Sequence, residues 1–64
     1  SDCEGKIADV YLRIPANRSG QGKIQISVNG SIHELDAVTD GDMLPSGTKV
    51  TVVEVLNGST VRVK

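Results

Sequence analysis

The chain has 64 residues, with 7 Lys and Arg against 8 Asp and Glu for a formal net charge of −1, and it holds one Cys, one His and one aromatic residue, Tyr11. One Cys and one His exclude an internal disulfide and a Cys/His zinc site, and the near-balanced charge, spread without runs, argues against Coulombic capture of nucleic acid or anionic lipid. A domain this small buries only about 60% of the surface its unfolded chain exposes, so stability must come from aliphatic packing and good turns.

The chain opens on Ser1 rather than Met, which fits either a processed product or a piece of something longer whose missing part could hold a membrane anchor. Residues 1–4 are expected to be a disordered stub or linker, and residues 5–64 a single domain. Cys3 is expected to be inert rather than a reactive thiol, because its neighbours Asp2 and Glu4 disfavour the thiolate. From Glu4 to Ile14, apolar Ala8, Val10, Leu12 and Ile14 alternate with Asp9, Tyr11 and Arg13. Period two marks a strand with one wet face. A bulge at Gly5 or at Ile7-Ala8 is expected to bend it.

Pro15 removes a backbone donor and, with Asn17, Ser19, Gly20 and Gly22, opens a polar loop of about seven residues. The second strand sets Ile24, Ile26 and Val28 inward and Lys23, Gln25 and Ser27 outward. Asn29-Gly30 then supplies the two positive-φ residues of a type I′ hairpin turn. In the third strand Ile32 is out of phase with Leu35 and Ala37, which predicts a bulge near His33 or Glu34. Thr39 to Asp42 turns the chain. Met43 to Gly47 forms a second turn, expected as a 3₁₀ turn tucking Met43 or Leu44 under the sheet.

In the fourth strand Val50 and Val52 match one face while Val53 and Val55 match the other, so the strand is either bulged or buried on both sides. Asn57-Gly58 repeats the type I′ signature and leads into a fifth strand, Thr60 to Lys64. No segment offers ten residues of helical periodicity, and none approaches the ~20 apolar residues that span a bilayer. The fold class is therefore all-β, a small five-stranded OB-fold-like barrel, with an SH3-like barrel as the nearest competitor.

Chemistry is sparse. His33 is the sole imidazole and shares a strand with Glu34, whose side chain points to the opposite face, so the pair cannot cooperate easily and His33 is expected to be solvated. Glu34, Asp36, Asp40 and Asp42 form the only acidic concentration, without the spacing of a calcium loop, and read as turn residues. Gly20-Gln21-Gly22 leads into a strand, whereas phosphate-cradling loops open a helix. No catalytic residue, metal or cofactor is expected. Bases would find nothing to stack on among Gln25, Ser27, Ile32 and His33, and Tyr11 alone does not make a platform. Two surfaces stand open to a partner: an exposed barrel edge, and the wet face bearing Tyr11, Arg13 and the Arg18 loop.

Several blocks together carry a resemblance: Gly5-Lys6-Ile7-Ala8, Ile14-Pro15, Gly20-Gln21-Gly22-Lys23-Ile24, Asp36-Ala37-Val38, and the run from Leu44-Pro45-Ser46-Gly47 through Thr48-Lys49-Val50-Thr51-Val52-Val53-Glu54-Val55. Over almost its whole length the chain resembles the C-terminal soluble domain of the NfeD family of small membrane proteins. The resemblance implies an OB fold carried on transmembrane helices that lie outside this sequence. It also implies a non-catalytic interaction module beside the membrane, whose partner is a stomatin/prohibitin-like protein or a membrane protease. No protease region is present, so the likeness is to the short, protease-less form. Nucleic-acid binding by an OB or SH3-like barrel is the alternative.

Overall fold

A computed structural model describes residues 3–64 of the chain. Asn29 and Gly30 both take positive φ (51° and 81°), as a type I′ turn requires, and the strands they join run without interruption. These are β2 (Gly22–Val28) and β3 (Ser31–Val38), paired antiparallel from Val28↔Ser31 to Gly22↔Ala37. A tight turn fixes register, and the continuous register leaves no bulge at His33 or Glu34. Ile32 simply faces outward opposite Ser27, 74% exposed.

β1 (Ile7–Leu12) does carry a bulge, three residues later than the latest position expected. Its register on β2 passes from Val10↔Ile24 to Leu12↔Lys23, so Tyr11 is the extra residue. The cause lies across the ladder at Gly22. A Cβ there would clash with the backbone carbonyls of Leu12 and Arg13, so only glycine lets the two strands approach at this bend. One consequence overturns the simple alternation: Leu12 turns outward at 53% exposed, while Ile14 returns to full burial.

β4 (Lys49–Val55) is likewise bulged, between Val52↔Val63 and Glu54↔Arg62, which resolves the two-faced valine pattern. β5 (Thr60–Val63) pairs antiparallel with β4 and parallel with β3, giving the closed order β1-β2-β3-β5-β4. A simple meander would keep every chain neighbour side by side. Here β4 passes over β5 to close on β1 through Ile7↔Thr51 and Asp9↔Lys49, the Greek-key outline of an OB-like barrel.

The second Asn-Gly corner differs from the first. Gly58 is not in the left-handed region, and the Asn57 carboxamide oxygen accepts the Ser59 N–H (3.0 Å) while Leu56 N–H donates to the Thr60 carbonyl (2.9 Å). The longer loop lets the Ser59 carbonyl reach the Asp36 N–H on β3 (2.9 Å), a demand that a two-residue turn cannot meet. The 3₁₀ turn is also displaced. It spans Ala16–Arg18 in the first loop, while Leu44 alone is tucked inward, exchanging two 2.9 Å backbone bonds with Ile14, and Met43 stays 45% exposed.

Inside the ring the buried cluster is Ala8, Val10, Ile14, Ile24, Ile26, Ala37, Val50, Val52, Val61 and Val63. Of the residues expected as a stub, Ser1 and Asp2 lie outside the described residues. Cys3 and Glu4 form a turn before β1, with Cys3 half-buried against this cluster.

Gly22→Ala is expected to cost about 1–3 kcal/mol, because the added methyl must push apart two backbone segments. Gly58→Ala, with open space around the site, is expected to be near neutral. Urea unfolding of the two variants measures the difference as a lower midpoint at unchanged slope for the first alone; equal midpoints would refute the close-approach account.

Candidate functional site

At the β1 bulge the chain presents Tyr11, Leu12 and Arg13 in succession, all exposed, Tyr11 at 56%. Ordinary alternation would bury one of every two, so the extra residue is what makes an apolar, aromatic and cationic cluster possible. Its backbone is tethered. Ser46 Oγ donates to the Tyr11 carbonyl (3.0 Å), Gly47 N–H to the Val10 carbonyl (2.8 Å), and Val10 N–H to the Thr48 carbonyl (2.9 Å). Arg13 has no ion-pair partner among the described residues.

Arg18 is placed differently from Tyr11 and Arg13. Its Nε lies 2.5 Å from Asp40 Oδ1 and its Nη2 3.4 Å from Oδ2, and its backbone N–H donates to the Thr39 carbonyl (2.8 Å). Asn17 N–H adds a bond to the Gly41 carbonyl (3.0 Å), so the first loop is stitched to the β3–β4 connection. Asn17 and Arg18 both sit at φ 55°. For an arginine that conformation is strained, and the stitching on both sides holds it there.

From β5, Arg62 reaches the same carboxylate (Nη1 to Asp40 Oδ2, 3.7 Å) and bonds Glu54 Oε1 through Nε (3.0 Å). The result is a chain of alternating charge, Arg18, Asp40, Arg62, Glu54. Hydrogen bonding from Arg18 holds the Asp40 carboxyl below its ordinary range, and the same contact raises the Arg18 guanidinium. Beside this clasp lies an open depression of about 460 Å³ lined by Thr39–Asp42, Leu44 and Arg62–Lys64. Sequence reasoning placed Asp40 only in a turn and missed Arg62 and the depression, since only the parallel seating of β5 on β3 brings them together.

The acidic concentration is dispersed. Asp36 pairs with Lys23 (2.9 Å), raising that ammonium's pKa, and Asp40 serves Arg18. The local backbone bond in the turn comes from Thr39 Oγ1, which accepts the Gly41 N–H (3.2 Å), rather than from an aspartate. Among the described residues no cluster of His, Cys, Asp or Glu could hold a metal. His33 is exposed and in register with Ile26, out of phase with Ile32. The outer face of β2 and β3 therefore offers Lys23, Gln25, Ser27, Ile32, Glu34 and Asp36, with no ring to stack a base.

Residues 7–64 match the family model described as the NfeD C-terminal domain. The chain belongs to the NfeD C-terminal domain family. Its fold is shared with the soluble domain of the NfeD protein YuaF from Bacillus subtilis, solved in solution, at 28% sequence identity and a TM-score of 0.82, over 98% of this chain and 73% of that one. No curated protein matches it. In this NfeD domain no helix among the described residues is long and apolar enough to cross a membrane.

Because Asp40 is more acidic folded than unfolded, the unfolded chain binds the extra proton. The clasp thus contributes stability above the unfolded carboxyl value of about 3.9 and loses it as pH falls through the folded value. Asp40→Asn is expected to melt below the parent at neutral pH and to converge with it in acid, read by thermal melts across pH. A gap that persists in acid would assign the aspartate a role other than its charge.

Proposed function

We propose that this NfeD domain is a non-catalytic protein-interaction module acting beside a membrane, with Tyr11, Arg13 and the Arg18 loop at the partner contact. The class of partner is a stomatin/prohibitin-like protein or a membrane protease, as the family resemblance implies. The observation that carries the reading is the exposed run Tyr11-Leu12-Arg13 on a backbone held by one bond at Tyr11 and two at Val10 just before it. Aromatic and arginine side chains are the residue types that dominate binding energy in protein interfaces, and a fixed backbone lowers the entropy lost on contact.

Within that surface the three residues have different parts. Tyr11 and Arg13 are free to make contact, whereas Arg18 supports the loop through Asp40. Support for a non-catalytic role comes from the scatter of the polar groups: His33 is exposed on β3, while Asp36 is committed to Lys23 and Asp40 to Arg18.

With the domain immobilised and a stomatin-type protein in solution, Tyr11→Ala with Arg13→Ala is expected to weaken binding about tenfold or more at unchanged melting temperature. Arg18→Ala is expected to lower the melting temperature instead. Unaltered affinity in the double variant would remove this surface from the reading, and micromolar binding of a single-stranded oligonucleotide at moderate salt would replace the reading altogether.

A further inference from the structure

β3 is eight residues long and β5 only four, and their pairing covers just Asp36–Val38. The first part of β3, Ser31 to Leu35, is therefore bonded to β2 on one side and, among the described residues, to no strand on the other. Which groups lie on the free side follows from the turn. A two-residue turn makes its flanking residues, Val28 and Ser31, a hydrogen-bonded pair, and bonding then alternates along an antiparallel ladder. Ser31, His33 and Leu35 thus spend their N–H and C=O groups on β2, while Ile32, Glu34 and Asp36 aim theirs the other way. Asp36 fits this phase, since its N–H donates to the Ser59 carbonyl on the β5 side.

Ile32 and Glu34 are left with edge-facing N–H and C=O groups that no backbone group among the described residues meets. Both residues are exposed. Sheet edges are commonly blunted by charged side chains, Pro or a bulge; Ser31-Ile32-His33-Glu34-Leu35 has neither Pro nor bulge, and its one carboxylate, Glu34, repels an acidic strand while favouring a basic one. The side chains of Ile32 and Glu34 lie on the same face, two residues apart, and on β2 they face only Ser27 and Gln25. Glu34 has no ion pair among the described residues.

Self-pairing of this edge is poorly matched. A dyad at His33 sets Ile32 opposite the Glu34 of a second copy, and a dyad at Glu34 sets like charges together. A dyad at Ile32 places Glu34 against Gly30, a turn residue at φ 81° that is not extended. A foreign strand meets none of these conflicts.

We propose that the free edge of β3, Ser31 to Leu35, accepts an extended segment of a partner protein that adds a strand, setting a Lys or Arg opposite Glu34 and an apolar side chain opposite Ile32. This rests on the reading of the domain as an interaction module but not on the Tyr11 surface.

The test titrates the isotope-labelled domain with two capped peptides, Thr-Lys-Thr-Val-Thr and Thr-Glu-Thr-Val-Thr, following backbone amide resonances. The Lys peptide is expected to shift the Ile32 and Glu34 amides saturably and slow their hydrogen exchange, and the Glu peptide to bind about fivefold more weakly. Ile32→Pro deletes an edge-facing donor that β2 does not use, and is expected to weaken the Lys peptide about tenfold while β2–β3 cross-strand contacts persist. Glu34→Lys, which leaves the backbone intact, is expected to reverse the preference between the peptides. No saturable response at these amides, or equal responses to both peptides in parent and Glu34→Lys, overturns the proposal. Concentration-dependent dimerisation lost in Ile32→Pro would overturn it too, by giving the edge to a second copy. Tyr11→Ala should leave peptide binding unchanged, so failure at the edge is separable from failure of the interaction reading at β1.

Discussion

Every buried apolar side chain in this domain is Ala, Val or Ile, and five strands must close around them. A ring so thinly filled has to bend sharply, and bends in sheets need either an extra residue or a glycine. β1 uses both, with Tyr11 inserted on one strand and Gly22 bare on the other, so that the carbonyls of Leu12 and Arg13 close over the space a Cβ would take. β4 uses the extra residue alone, at Val53. Closure thus decides which side chains leave the interior. Leu12 is outside because the barrel bends beneath it, and the exposed cluster at the end of β1 is a by-product of that geometry.

The loops are held by the same economy. Exposed ion pairs contribute little each, so Arg18 with Asp40 and Arg62 with Glu54 are the smaller part of what fixes the first loop against the β3–β4 connection. The backbone bonds from Asn17 to Gly41, from Arg18 to Thr39 and the reciprocal pair between Ile14 and Leu44 form the seam. What the charges add is direction. Arg18 sits in a left-handed conformation that an unsupported arginine would leave, and the Asp40 carboxylate gives its side chain a reason to stay.

Local rules made part of this legible. Asn29-Gly30, the alternation in β2 and the strand count were readable because each depends on neighbours a few residues away. The errors share another origin. Asn57-Gly58 reads like its counterpart, yet its turn type is settled by β5 having to reach β3, where each paired residue lies 24 positions back along the chain, as in Asp36↔Thr60. Ile32 looked like a phase error because an isoleucine was assumed to be buried, and small barrels leave apolar residues outside. Of the three residues chosen for partner contact, exposure was readable for Tyr11 and Arg13. The engagement of Arg18 was not, because Asp40 arrives from a different loop.

The Tyr11 surface and the free β3 edge stand at opposite ends of β2. Leu12 is paired with Lys23 near its beginning, and Ser31 with Val28 at its end. At about 3.3 Å per residue, the five steps between those positions span roughly 17 Å. A single short segment lying along the β3 edge runs beside β3 toward Asp36, where the Ser59 carbonyl already occupies the edge. It therefore stops before reaching the level of Lys23, and it lies on the side of β3 away from β1. Contact at both places requires either one broad partner surface wrapping across β2 or two separate partners.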